Sequence, residues 1–548
     1  MNGLMQDYPL TVHTLFRRGE SNFGHKRITS VSAGHEAVTT YADWADDVRR
    51  LAGALDRLGI PRSARVGSFA WNSIRHLNLY FAVPASGRVL HCINIRLFPE
   101  QISFVINHAG DEVIFVDESL LPTLIPVLPS CPTVKQVVVM RDSGGAADCH
   151  SDMRGIAVHD FDDLVRTTNP VEFEPVDEWS AAMMCYTSGT TGDPKGVVYS
   201  HRSVFLHSMA ASGVDTLGIG EADRILPLVP MFHANAWGIP HAAIAQGAEL
   251  VLPGSDLSGP TVADLIVRHR VTMTAGVPTI WISALPHLEG RDVTSLRLIA
   301  CGGAAVPAAL SEDYRTRIGL PIQQAWGMTE TSPLAAVGKL DADHAELSDG
   351  ERAKLRTGVG RPVLGVEARL VRPGTLDAVA HDGVATGELQ VRGSWIASGY
   401  YGVEQEESPL TDDGWLRTGD VATMDERGWV RLVDRTKDLI KSGGEWISPA
   451  DLENELMNHP AVAEAAVVGV PHPRWSERPL ACVVRVPGQD VGEAELLSHL
   501  STEFARWQLP DRIVFVESIP KTSVGKFAKR EMRELHRAAY AECSDHHA

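Results

Sequence analysis

The apolar residues Trp44, Val48, Leu51, Leu55 and Leu58 recur at steps of four and three, which places them along one face of a helix that Gly59 and Pro61 then stop. The alternation that begins immediately after this helix constrains the fold most. Residues 65–70 (RVGSFA) read as a short buried strand, 72–85 as a helix, 88–93 as a strand, 99–108 as a helix and 112–116 as a strand. A second round runs through a strand at 224–228, a helix at 238–246, a strand at 249–252, a helix at 262–269 and strands at 272–277 and 296–300. Short apolar strands separated by helices predict βαβ units and a largely parallel sheet. At 548 residues the chain exceeds what one core covers, so more than one domain is expected.

The texture then changes twice. From about Val366 the segments VEARLV, GELQVRG, GWLRTGD and GWVRLV are short strands broken by turns, which predicts a β-rich subdomain. Beyond Asp434 a helix (449–459), strands (463–470 and 481–486), a helix (492–505) and a last strand (511–516) predict a compact α+β unit, with 434–438 (DRTKD) at the junction as a candidate hinge. The expected fold class is α/β. A large N-terminal domain of layered, parallel-rich sheets spans 1–434, with 365–434 as its β-rich part. A hinge comes next at 435–441, then a small α+β C-terminal domain at 442–548. The stretch 142–152 (DSGGAADCHSD) reads as a loop.

Charge and composition remove several classes of function. Hydrophobic content of 44% and charged content of 22% are those of a globular protein. A formal charge of −19 repels phosphate backbones and anionic lipid, which argues against nucleic-acid or membrane partners. No apolar run approaches the ~18 residues that span a bilayer. The N-terminal MNGLMQDYPLTVHTLF lacks a basic stretch leading into an apolar block. The seven cysteines are scattered without a CxxC pair, so a reducing cytoplasmic setting is expected.

The run 186–196, YTSGTTGDPKG, carries most of the chemistry. Glycines let successive backbone N–H groups turn toward one point, and hydroxyls and Lys195 add donors and charge, a combination that suits a polyphosphate. It is not the GxxxxGK[ST] loop, because Pro194 and Gly196 stand where that motif needs glycine and a hydroxyl residue. In 324–333, QAWGMTETSP, Trp326 can stack on a flat ring, Thr329 can donate to phosphate and Glu330 is a hard oxygen ligand suited to Mg2+. Taken alone, such a run is more often a capped helix start than a site. CGGAAVP (301–307) comes directly after an apolar strand, and glycines at a strand end allow close ligand approach. Asp420 in TGD, with Arg435, could hold a sugar; the glycine pair in IKSGGEWISP (440–449) could contact a passing substrate; PKTSVGK (520–526) reads by itself as a solvated lysine loop.

Together these runs resemble, in order and approximate spacing, the signatures of the adenylate-forming superfamily of acyl-CoA synthetases, luciferases and adenylation domains, and the resemblance covers nearly the whole chain from Tyr186 to Lys526. PMFHANAWGIP (230–240) is similar to a segment of medium- and long-chain fatty acyl-CoA synthetases. The resemblance implies an acid–thiol ligase that forms an acyl-adenylate from ATP, with release of diphosphate, and then a CoA thioester, with release of AMP. ATP, Mg2+ and CoA would be its cofactor and cosubstrates, and a small-molecule carboxylic acid, a medium- or long-chain fatty acid, its other partner. Thr187, Ser188, Gly189, Thr190, Thr191, Gly192 and Lys195 would cradle phosphates, with Glu330 and Thr187 at the metal. Gly302, Gly303, Ala304, Trp326, Gly327, Met328 and Thr329 would flank the nucleotide, although the family often has tyrosine at the Trp326 position. Asp420 and Arg435 would hold ribose, and Lys437 would be the point about which a mobile C-terminal domain turns. Lys526 would serve adenylation and Lys441 the second conformation, in which Gly443, Gly444, Glu445 and Trp446 would border the CoA arm. His233, with Ala234, Asn235 and Trp237, would line the acyl channel, His233 at the carboxylate and Trp237 as a gate.

The motifs define adenylation more sharply than the acid. An aryl or short functionalised acid, or transfer to a carrier protein in place of free CoA, are the alternatives; retention of Lys195, Glu330, Asp420, Arg435 and Lys526 argues against a non-catalytic homologue. Family relatives of this subtype are often dimers, so a homodimer is one expectation.

Overall fold

The computed structural model describes residues 1–548 except 2, 33, 142–152, 154, 188–192, 405–407, 443–444, 522–526, 541–548 and the side chain of Glu445. The loop expected at 142–152 therefore lies outside the described residues. Among the described residues the strands form four sheets.

The two largest are the layered α/β body. One runs Ala157–Asp160, Gln136–Met140, Val113–Asp117, Arg65–Phe69, Val89–Cys92, Ala181–Tyr186, Gly196–Ser200, and every pair but the last is parallel. The other has nine strands, with a parallel centre from Ile322–Gly327 through Leu298–Cys301, Met273–Gly276, Arg224–Pro227 and Glu249–Leu252 to Arg27–Ser32, and antiparallel strands at both edges. The central strands are buried along their length, as parallel strands covered on both faces must be. The helix expected from the Trp44 stripe is Tyr41–Arg57, N-capped by the Thr40 hydroxyl, and it buries Trp44, Val48, Leu51 and Leu55.

A four-stranded antiparallel sheet, Val366–Val371, Gly387–Gly393, Leu416–Met424 and Val430–Arg435, is the β-rich subdomain. Its inward residues Leu370, Leu389, Val391, Leu416 and Val430 belong to the same apolar cluster as Trp326 and Leu334 of the body. The chain from Ile440 onward makes a five-stranded sheet with helices Pro449–Asn458, Glu493–Leu500 and Lys529–Leu535. It has two apolar clusters of its own, made only of residues from 440 onward. The helix expected at 492–505 is shorter than the pattern suggests: Ser501 caps it, and the Thr502 hydroxyl returns to the His499 carbonyl at 2.7 Å and turns the chain.

One local feature departs from any propensity. Before helix Ile239–Gln246, the residues Ala234, Asn235, Ala236, Trp237 and Gly238 all have φ between 43° and 69°. Only Gly238 is free of the steric cost of that region.

Candidate active site

The carboxyl ends of the parallel strands open onto one cleft of about 1330 Å3. This is where open α/β sheets place ligands, because the chain leaves each strand in a loop there. Leu298–Cys301 delivers Gly302 and Gly303; Ile322–Gly327 delivers Trp326 and the residues through Glu330; the turn between Ala181–Tyr186 and Gly196–Ser200 delivers Thr187 and Lys195; Arg224–Pro227 leads to His233, Ala234 and Trp237. Gly419, Arg435, Lys437 and Asp438 also line the cleft, as do Lys521 and residues 527–531, 533 and 534 of the C-terminal unit.

Two glycines are required by close approach. A Cβ on Gly327 would fall 1.6 Å from the Pro333 carbonyl oxygen. A Cβ on Gly302 would fall 2.8 Å from the Ala325 carbonyl oxygen and 3.0 Å from the Trp237 indole, so glycine here is what lets Trp237 lie against the strand end.

The acidic and basic groups of the cleft are held by specific bonds. Glu330 is buried, and its Oε1 accepts from the Tyr400 hydroxyl at 2.7 Å. Burial and the adjacent Glu330 carboxylate raise the Tyr400 pKa, which keeps the phenol a donor. The same ring lies 4.9 Å from the Lys195 ammonium, a cation–π contact that brings base and acid to one place. Thr187 and Lys195 are bonded to one another, Thr187 N donating to the Lys195 carbonyl at 2.9 Å and Lys195 N to the Thr187 hydroxyl at 3.1 Å. Asp420, also buried, accepts from Trp326 Nε1 at 2.9 Å and from Arg435 Nε at 2.6 Å. Each carboxylate oxygen keeps further lone-pair capacity for a ligand hydroxyl. Burial lowers the Lys437 pKa. Among the described lining residues Lys and Arg outnumber Asp and Glu eight to five, a local reversal of the −19 carried by the whole chain.

The expected site residues do not all converge. Thr187, Lys195, His233, Ala234, Trp237, Gly302, Gly303, Trp326, Gly327, Met328, Thr329, Glu330, Arg435 and Lys437 line the cleft. Asp420 stands behind the lining and fixes Trp326 and Arg435. Ala304 is exposed and does not line it. Asn235 does not line the channel either: the left-handed turn buries its side chain, whose Oδ1 accepts from Cys185 Sγ at 3.0 Å. Lys441 and Trp446 lie outside the lining, with the ammonium 5.6 Å from the indole. Ser188, Gly189, Thr190, Thr191, Gly192, Gly443, Gly444 and Lys526 lie outside the described residues, as does the Glu445 side chain. Lys521 and Phe527, on either side of 522–526, pair with one another and both line the cleft. Tyr400 is a site residue that sequence reasoning misses, although the GYYG run at 399–402 is a visible signal.

This is a nucleotide-scale cleft, locally basic, built where two α/β sheets and a smaller unit meet. Residues 18–401 match the AMP-binding enzyme family and residues 451–526 the AMP-binding enzyme C-terminal domain, and the chain belongs to that family. It is 43% identical to the 3-methylmercaptopropionyl-CoA ligase of Ruegeria pomeroyi, over 98% of this chain and 99% of that one. It is 44% identical to the long-chain-fatty-acid–CoA ligase of Thermus thermophilus, over 98% and 97%. Among solved structures, an anthranilate CoA ligase in complex with anthranoyl-AMP superposes with a TM-score of 0.85 at 26% identity, covering 98% of this chain and 100% of that one. The protein is accordingly an ATP-dependent, AMP-forming acid–CoA ligase. No helix among the described residues is long and apolar enough to cross a membrane.

Proposed function

We propose that the acid is a medium- or long-chain fatty acid, activated as its adenylate and passed to CoA. The observation that carries this reading is the apolar share of the cleft's lining: Leu228, Val229, Val277, Ile280 and Leu334 line it together with His233 and Trp237. The long-chain relative at 44% identity supports it. A short thioether acid is the second reading, supported by the Ruegeria relative and by Trp237 packed on Gly302, which narrows the apolar side next to the nucleotide wall.

In the first step an anionic carboxylate approaches a polyanion, so neutralisation of charge governs the barrier. A fixed cation ~4 Å away contributes about 4 kcal/mol at an effective dielectric of 20. Lys195 and Arg435 supply standing positive charge at the wall. Lys526 would supply the charge that acts on adenylation. Mg2+ fits the donors present: Glu330 keeps carboxylate capacity beyond its bond to Tyr400, and Thr187 adds a hydroxyl. One or two protein oxygens are what Mg2+ takes when phosphates complete its shell, and bound there it would screen phosphate charge. His233 lines the cleft from the turn that carries Trp237 and would orient the carboxylate. The C-terminal unit, turning about Lys437 within 435–441, would present Lys526 in one arrangement and Lys441 with Trp446 in another.

ATP–diphosphate exchange across straight-chain acids from C2 to C16, thioether acids and benzoates, with and without CoA, tests this. Optimal exchange at C8 or longer is expected. Strict preference for benzoates, or transfer only to a carrier protein, would sink it.

A further inference from the structure

We infer that Asp434 and Lys529 are positioning residues for adenylation, an ion pair across the junction that holds helix Lys529–Leu535 against the cleft and must part before thioester formation. This rests on the proposed function, in which the C-terminal unit turns about Lys437.

Asp434 lies on the near side of the junction. Its strand, Val430–Arg435, is paired in register with Leu416–Met424, and Asp434 stands opposite Val421. Its carboxylate is nearly buried, with 7% side-chain exposure. Oδ1 accepts from Arg435 N at 2.6 Å. Oδ2 points across the junction, where it accepts from Ala450 N at 3.2 Å and lies 3.6 Å from Lys529 Nζ. Lys529 opens helix Lys529–Leu535, three positions after Lys526 in sequence. Its other partner is Glu453 Oε1 at 2.8 Å, and that oxygen also accepts from Val467 N at 2.7 Å. Farther along the same helix, Arg533 donates to the Lys437 carbonyl at 3.4 Å and pairs with Asp438.

These contacts divide into two kinds. Lys529 with Glu453 lies within the C-terminal unit and would travel with it. Lys529 and Ala450 N with Asp434 cross the proposed pivot. On rotation Lys529 keeps one carboxylate, while Asp434 loses both donors that reach it from the far side. A buried carboxylate that loses its counter-ion and one of its N–H donors, as Oδ2 would, is disfavoured unless water reaches it. The pair therefore biases the unit toward the arrangement in which residues 527–531, 533 and 534 line the nucleotide cleft. Lys529 also lines the cleft, but its ammonium is already shared between two carboxylates, so its part is to hold the helix in place.

Asp434→Asn is the cleanest variant, because it removes the charge and leaves Lys529 with Glu453 intact. Its ATP–diphosphate exchange should fall about tenfold, while thioester formation from supplied acyl-adenylate should be unchanged or faster. Lys529→Met should show the same split, the double variant should be no slower than the slower single one, and Lys529→Arg should recover at least a third of the exchange rate. Equal losses in both half-reactions, or no loss in either, would overturn the inference. Lys526→Ala separates the two ideas. If it splits the half-reactions and Asp434→Asn does not, only the positioning role fails; if neither does, the turning-unit reading fails first.

Discussion

Two small β units are appended to the same α/β body, and they are attached in different ways. The four-stranded sheet ending at Arg435 buries Leu370, Leu389, Val391, Leu416 and Val430 in a cluster continuous with Trp326 and Leu334. The five-stranded sheet beginning at Ile440 keeps its apolar residues to itself. The bonds that cross to it are polar: Ser448 Oγ to the Val433 carbonyl at 2.9 Å, Ala450 N and Lys529 to Asp434, and Arg431 to Asp451 at 3.2 Å. Separating an apolar seam exposes hydrocarbon to water at roughly 25 cal/mol per Å2, whereas polar groups exchange one partner for water at a much smaller net cost. The first unit is therefore fixed to the body, and the second can detach without opening a core.

Acid puts the most severe test on this contrast. His201, His207 and His241 are buried in the body, and burial lowers their pKa values to about 4, about 3 and about 4. Two of them also accept backbone N–H bonds, His201 from Val12 and His207 from Leu334, which a doubly protonated ring cannot do. An unfolded histidine takes its proton near 6.5, so stability is full above that value and is lost as pH falls toward the folded values. The body should lose about 2 kcal/mol per histidine, roughly 6 in all, between pH 7 and pH 5. Calorimetry at the two pH values, with limited proteolysis assigning the transitions, checks this; a body transition unmoved at pH 5 would contradict it.

Next in size is Leu389→Ala, a truncation at a site 1% exposed, which should cost about 3 kcal/mol and lower the body transition itself. If it left the body untouched, the shared core would not couple the two. Lys526→Ala should slow adenylation by ~100-fold, about 2.7 kcal/mol, and spare the transfer of supplied acyl-adenylate to CoA. The C-terminal unit should respond to pH with the opposite sign. Burial raises the Glu453 pKa to about 7, so its contribution is present below the usual carboxylate range and fades as pH rises through 7. That unit should lose up to about 2 kcal/mol between pH 5 and pH 7, and Glu453→Gln should flatten the dependence. Smallest is Arg431→Ala: both partners of the Arg431–Asp451 pair are about one-third exposed or more, and its loss should shift stability by no more than ~0.5 kcal/mol. A fall in ATP–diphosphate exchange as large as that expected of Asp434→Asn would mean that surface charge, not the buried pair, holds the junction.

The α/β body is legible in the sequence because parallel strands covered on both faces are written as apolar runs, and RVGSFA and the Trp44 stripe give their elements within a residue or two at most ends. That Gly302, Gly303 and Trp326 to Glu330 line the cleft is legible for a related reason, since they end or directly follow buried strands. The hidden part is long-range. Tyr400 reaches Glu330 across 70 residues of sequence and Lys529 reaches Asp434 across the junction, and no local pattern encodes either pairing. Asn235 is misplaced by sequence reasoning because its nearness to His233 suggests the channel, whereas four successive non-glycine residues at positive φ run against every local preference.

That left-handed turn has a consequence for anyone redesigning acid selectivity. Ala234 and Ala236 look like free positions for trimming or enlarging the binding space around Trp237. Their backbone already sits where a β-branched side chain is least tolerated, so Ala236→Val would deform the loop rather than reshape the pocket, and glycine is the replacement that the main chain accepts there without penalty.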